Sequence, residues 1–211
     1  MNKKLSILLC IPLVLMTVLG GCGSANKNIC MGAGDIGGIY YSFSGAFAGI
    51  FNQDNTASKI ELKNTAGSAA NIRLLSGRYI DLGIAQMDIA DSAYNGNGLS
   101  DEKKYQGYKA IATLYTEACQ IVVKEDSDIY SLNDLQGKTV SIGSEESGSE
   151  SNAKQILKYS GLTDEIIKTV NLDYSDAAQE FTAGKIDALF ITAGIKTTVI
   201  EELSKECDVR L

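Results

Sequence analysis

Histidine and tryptophan are missing from this 211-residue chain, and it has a single proline. Without His, no Ser–His–Asp or Cys–His nucleophile system can be assembled, and no His-ligated zinc site. Positive charge is scarce. Nineteen Lys and Arg stand against 26 Asp and Glu, for a formal net charge of −7. Affinity for a phosphate backbone rests on dense Lys and Arg, so nucleic acid is not an expected partner. Hydrophobic residues make up 45% of the chain and charged ones 21%, too apolar a balance for a disordered protein. The length admits one large domain or two small ones.

What is present begins with a targeting signal. Asn2-Lys3-Lys4 forms a positive start, and Leu5 to Leu19 is an almost unbroken apolar run. Leu19-Gly20-Gly21-Cys22 then resembles the bacterial lipobox, in which the Cys is lipidated and becomes the new first residue. The expectation is a lipoprotein signal peptide over 1–21 and a lipid-anchored linker over 22–28. The remainder would be an extracytoplasmic domain tethered to the cell membrane through Cys22. A membrane-spanning helix is the rival reading, but the run is shorter than the roughly 20 residues a bilayer requires. Cleavage removes Lys3 and Lys4 and no acid, taking the net charge from −7 to −9. Cys10 leaves with the signal. Cys30, Cys119 and Cys207 sit beside strand-like runs and read as small buried hydrophobes, with a disulfide between two of them left open.

Along the mature chain, strand and helix alternate. Strands are expected at 28–33, 59–64 and 81–85, with helices at 39–51, 68–76 and 87–94 between and after them. The first helix carries Ile39, Phe43, Ala46, Phe47 and Ile50 at helical spacing. Ser68 is expected to cap the second, and Gly77 to follow its end. Residues 109–124 read as a long extended stretch, interrupted at Thr116-Glu117-Ala118, that leaves one lobe and starts another. A helical turn follows at 131–135, then strands at 139–142, 168–172 and 187–191 and helices at 149–159, 176–183 and 197–204. Buried Val- and Ile-rich strands alternating with helices argue for parallel sheets covered by helices. Ser76-Gly77-Arg78-Tyr79-Ile80-Asp81-Leu82 parallels Thr182-Ala183-Gly184-Lys185-Ile186-Asp187-Ala188, which suggests two lobes of related topology.

Three turns carry the chemistry. Gly32-Ala33-Gly34-Asp35-Ile36-Gly37 matches a dinucleotide fingerprint, but no acid ends the following strand, which closes on Lys63-Asn64. The physics of the turn survives without a cofactor: backbone N–H groups converge at a helix start, a ready anion site. The Thr65–Asn71 and Ser144–Glu150 segments repeat that design, one in each lobe, at the C-terminal ends of strands where open α/β sheets bind ligands. Ser151-Asn152-Ala153-Lys154 matches an SxxK pattern without its companion motifs, and Gly137-Lys138-Thr139 lacks the rest of a P-loop.

At these turns the sequence resembles the TAXI family, the TRAP-associated extracytoplasmic solute-binding proteins. The likeness runs through Gly37-Gly38-Ile39-Tyr40-Tyr41, Thr65 to Leu75, Ile80 to Asp88 and Ala93-Tyr94-Asn95-Gly96. It continues through Leu114-Tyr115, Gln120 to Val123, Leu135 to Gly143, Ser147-Gly148-Ser149-Glu150, Asp187 to Phe190 and Ala193-Gly194. The resemblance implies an α/β, two-lobed, periplasmic-binding-protein-like fold. Each lobe would be a mostly parallel sheet flanked by helices, lobe 1 over 29–116 and lobe 2 over 117–211, with the ligand cleft between them. It implies a receptor, not an enzyme, without a cofactor or metal. Such a receptor captures a small organic anion or amino acid, such as glutamate or 2-oxoglutarate, for a TRAP-type permease; the alternatives are a ligand-sensing lipoprotein that feeds a signalling partner and an enzyme on the same bilobal scaffold.

Gly37, Gly38 and the backbone near Ser68 and at Ser147, Gly148 and Ser149 are then the expected donors to a ligand carboxylate. Tyr40 or Tyr41 would close over the ligand, and Ser68, Asn71, Gln86, Ser144 and Thr192 are candidate side-chain contacts. Arg73 is expected in a structural salt bridge. The chain departs from the family at Ile36, where a hydroxyl is usual, and at Glu145-Glu146, where Gly or Pro is usual and carboxylates would repel an anion. Thr116 and Lys196 replace Pro. Family members also continue past the segment resembling Cys207 to Leu211 to complete the first lobe. That lobe is therefore expected to be incomplete in this chain, with low solubility and weak or no binding.

Overall fold

A computed structural model describes residues 28–54, 57–97, 101 and 103–211. The expected signal peptide, Cys22 and the linker up to residue 27 lie outside the described residues. The first half contains β1 (Ile29–Gly32), α1 (Ile39–Asp54), β2 (Ile60–Lys63), α2 (Ser68–Ser76), β3 (Leu82–Gly83) and α3 (Met87–Asn95). The second contains β4 (Ala118–Lys124), a 3-10 turn at Leu132–Leu135, β5 (Thr139–Ser141), α4 (Gly148–Tyr159) and β6 (Lys168–Val170). It continues with α5 (Tyr174–Thr182), β7 (Ala188–Ala193), α6 (Thr198–Glu206) and β8 (Val209–Arg210).

Two sheets result, with related topology. The first has the order β2-β1-β3, all parallel. The second has the order β6-β5-β7-β4-β8, and its β6-β5-β7 part repeats the same parallel arrangement. The paired sequence motif has one structural job in both. The Asp81 carboxylate accepts from the Cys30 N–H at 2.9 Å while the Asp81 N–H donates to the Cys30 carbonyl at 2.8 Å. Asp187 exchanges the same two bonds with Thr139, both at 2.7 Å. In each lobe an Ile-Asp pair thus locks the entry of the third strand to the first.

The second sheet is mixed: β4 runs antiparallel to β7 and also to β8, a short strand that the sequence pattern did not suggest. β7 is buried along its whole length, and its alternation feeds two cores. Ala188 and Phe190 join Val140, Ile142 and Leu157 on one face. Leu189 and Ile191 join Val122, Phe181 and Leu203 on the other. The first sheet has a smaller core, centred on Met31, Ala48 and Ile60 with Phe51 and Leu62 against them.

Local expectations are corrected at four places. The stretch expected to be extended over 109–124 forms a strand only from Ala118; Ile111 and Leu114 before it are exposed. α1 turns Ser44 and Ala48 inward and leaves Phe47 and Ile50 exposed, because small side chains let the helix lie close against short strands. Ser68 is the first residue of α2 and does not cap it; Gly67, at φ 118°, holds the cap position. Cys30, Cys119 and Cys207 are free thiols; Cys119 is exposed and the other two are half-buried, so none is a core residue.

Candidate functional site

Three strand-to-helix turns meet between the two sheets. The turn after β1 holds Gly34, Asp35 and Gly38, the turn after β2 holds Ala66, Gly67 and Ser68, and the turn after β5 holds Ser147, Gly148 and Ser149; all line one cavity. Gln86, Glu117, Tyr174 and Thr192 close its walls. Its volume is about 30 Å³, room for about one water molecule.

Eight of the twelve expected contacts line this space: Gly38, Tyr40, Ser68 and Gln86 from the first lobe, and Ser147, Gly148, Ser149 and Thr192 from the second. Gly37, Tyr41, Asn71 and Ser144 do not. A side chain on Gly37 would face Val199 of α6. Asn71 is fully buried and braces the first lobe. Its amide donates to the Ile84 carbonyl at 2.9 Å, and its carbonyl oxygen accepts from the Thr65 hydroxyl at 2.8 Å. Ser144 stands at the margin, donating to Asp35 across the lobes at 2.9 Å.

The walls are tied by short networks. The Ser68 hydroxyl accepts from the Gln86 N–H at 3.1 Å and lies 3.3 Å from the Tyr40 hydroxyl. In the second lobe the Ser149 hydroxyl accepts from the Thr192 N–H at 2.8 Å and lies 2.8 Å from the Tyr174 hydroxyl. Tyr174 in turn donates to the Thr192 carbonyl. Ser147 caps α4, its hydroxyl accepting from the Glu150 N–H at 2.9 Å. Gly148 and Ser149 are the first two residues of α4, so their N–H groups have no helical carbonyl within reach and sit at the positive end of the helix dipole.

Three polar side chains in the lining were not among the expected contacts: Asp35, Glu117 and Tyr174. Asp35 lay inside the glycine block, where it reads as a turn residue. Glu117 lay in the interruption before β4. Tyr174 stands at the start of α5. Burial pushes the Asp35 carboxyl up to about 6, against the Ser144 hydrogen bond that lowers it, with Asp173 raising it further. Burial likewise pushes Glu117 up to about 6, opposed by the bond it accepts from the Tyr40 hydroxyl at 3.1 Å and reinforced by Asp88. The Tyr40, Tyr115 and Tyr174 phenols are all raised, first by burial, and stay protonated.

Glu145 and Glu146 do not line the cavity. Glu145 is exposed. Glu146 is drawn across to the first lobe, where Arg73 donates to its two carboxylate oxygens at 2.9 and 2.5 Å, the salt bridge expected of Arg73. The Glu146 carbonyl also accepts from the N–H groups of Ala69 and Ala70, both at 3.1 Å. The N-terminus of α2, expected to serve a ligand carboxylate, is thus occupied by the other lobe. Glu146 reaches it with φ 64°, a left-handed backbone that Gly adopts freely and other residues seldom do.

Comparison with solved structures supports the architecture. The alkanesulfonate-binding protein SsuA from Xanthomonas axonopodis pv. citri, bound to MOPS, matches with a TM-score of 0.57 at 21% identity, over 87% of this chain and 59% of that one. The periplasmic aliphatic sulphonate binding protein SsuA from Escherichia coli matches with a TM-score of 0.51 at 22% identity, over 87% and 55%. Holo ArgBP from T. maritima matches with a TM-score of 0.56 at 22% identity, over 88% and 76%. The chain therefore spans less than two thirds of the length of either SsuA. These likenesses show the fold: the expected α/β, two-lobed, periplasmic-binding-protein-like class, with a mixed second sheet. A model of the NMT1-like family matches residues 31–211, which is most of the sequence, and the chain belongs to the NMT1-like family.

Proposed function

We propose that this chain is an extracytoplasmic solute receptor that captures a small organic solute, a carboxylate or an amino acid, between lobe 1 (29–116) and lobe 2 (117–211). The observation that carries the reading is the single cavity onto which one turn from β1, one from β2 and one from β5 converge. Two of its walls come from one lobe and one from the other, so closing on a solute engages both. The likeness in fold to sulfonate- and arginine-binding proteins supports it. Delivery to a TRAP-type permease, as the TAXI resemblance implies, and a membrane tether through lipid on Cys22 belong to the same proposal. Within the site, Gly38, Tyr40, Ser68, Gln86, Ser147, Gly148, Ser149 and Thr192 are the proposed contacts.

Calorimetric titration of the mature chain with glutamate, glutamine and 2-oxoglutarate tests the reading. The expected outcome is stoichiometric binding of at least one of them. A well-folded preparation that binds no small carboxylate or amino acid would overturn it.

A further inference from the structure

Glu146 holds a backbone conformation that residues with a side chain seldom adopt, at φ 64°. Such an outlier persists only where its surroundings fix it. Lobe 2 supplies that hold. The Glu146 N–H donates to the Glu150 carboxylate at 2.7 Å, and Glu150 is itself fixed by Lys154 at 2.7 Å and Asn171 at 3.1 Å. The rest of Glu146 is turned to lobe 1. Its carboxylate accepts from two nitrogens of Arg73, a bidentate pair, and its carbonyl accepts from Ala69 and Ala70. Ala69 and Ala70 lie in the first turn of α2, where N–H groups have no helical carbonyl to reach. One residue of lobe 2 thus takes both Arg73 and the N-terminus of α2.

Gln86 answers from lobe 1. Its side-chain oxygen lies so close against Gly148 of lobe 2 that a β-carbon on Gly148 would overlap it. That oxygen is buried and has no hydrogen-bond partner among the described residues. Stranding an acceptor is unfavourable, so this contact works against the joined lobes. The Glu146 contacts cross between the same two lobes and pull the other way.

We propose that Glu146 is a built-in latch, which joins the lobes in a resting form that excludes a solute. The space left inside takes about one water, and the Gln86 side chain is packed against its wall at Gly148. A solute then engages only the fraction of molecules in which the latch is undone. The latch is made of the chain's own contacts and does not depend on what the protein binds, so it stands or falls separately from the receptor reading.

Amide hydrogen exchange, resolved residue by residue by NMR on the mature chain with no solute added, tests it. With the lobes apart, the Ala69 and Ala70 N–H groups lose their partner; latched, they are bonded to Glu146. The Asn71 N–H bonds to the Gly67 carbonyl within lobe 1 at 2.8 Å and reports the integrity of α2 in the same spectra. In the unaltered chain Ala69 and Ala70 should exchange about ten-fold or more slower than free amides. Glu146→Gly relieves the backbone and removes the carboxylate, and Arg73→Met removes the cation. Each should lower protection at Ala69 and Ala70 about two- to five-fold, the scale of a half-exposed ion pair, and leave Asn71 unchanged. Raising NaCl from about 0.1 M to about 1 M should lower it in the unaltered chain and in neither variant. Exchange of Ala69 and Ala70 at the free-amide rate in the unaltered chain would overturn the latch. So would protection that neither variant moves, or a loss that Asn71 shares in both.

Discussion

Asn71 shows how one residue type can be right for two jobs. Its place in a strand-to-helix turn made it a candidate ligand contact, yet the folded chain uses its amide to join the turn at Thr65 to the strand region at Ile84. Nothing in the sequence separates these roles, because a buried amide satisfied by backbone and a ligand-facing amide need the same side chain. Asn71→Ala would deprive the half-buried Ile84 carbonyl of its side-chain donor and leave the Thr65 hydroxyl with only the Gly34 N–H as a partner. A loss of about 2–3 kcal/mol is expected, read as a lower urea midpoint with an unchanged slope. Arg73 was legible as a salt-bridge residue; its partner was not, since Glu146 lies 73 positions away and meets it only once the lobes pack. Asp35 and Glu117 were hidden for a related reason. A carboxylate in a turn is ordinary, and only burial by other segments makes it a site group.

At the scale of elements, alternation and punctuation were readable and facing was not. The repeated Gly, basic, Ile-Asp motif announced two related lobes, because an Asp that clamps a neighbouring strand is needed wherever that topology recurs. The helix stripe Ile39, Phe43, Ala46, Phe47 and Ile50 suggested a buried face for α1, yet Ser44 and Ala48 go inward. Apolar content marks a face that wants cover; close approach to a short sheet selects small residues instead. The stretch before β4 failed differently, since β propensity is present over 109–117 but no strand pairs with it there. The β5–α4 turn invites a sharper test. Gly143 has φ 94°, and a β-carbon there would fall 2.7 Å from the Ser149 β-carbon and 2.9 Å from the Ser147 hydroxyl. Gly143→Ala should therefore disturb the turn that presents the α4 N–H groups, at a cost of about 2 kcal/mol or more from backbone strain and overlap. Thermal melting measures it, and a melt unchanged from the parent would contradict the close packing of that turn.

For the molecule as a whole, stability is linked to the state of the cavity. Asp35 and Glu117 titrate near 6 in the folded chain and lower when unfolded, so the folded form holds more protons between roughly pH 4 and about 6. Their contribution to stability is greatest below that window, falls as pH rises through it, and is flat above. The double variant Asp35→Asn, Glu117→Gln should thus melt higher than the parent at pH 7.5, with the gap closing near pH 4.5. A gap that persists at low pH would assign the effect to packing. The clasp between lobes bears on time as well as energy. With Glu146 bonded to Arg73, Ala69 and Ala70, and with space for about one water inside, the described form is too tight to hold a solute. Arrival must wait for the lobes to part, so the observed association rate climbs with solute concentration only until it meets the opening rate, and there it levels off. Glu146→Ala should therefore raise that plateau in a stopped-flow titration, and with it the speed of response to a sudden rise in supply, whatever it does to how tightly the protein holds what it catches.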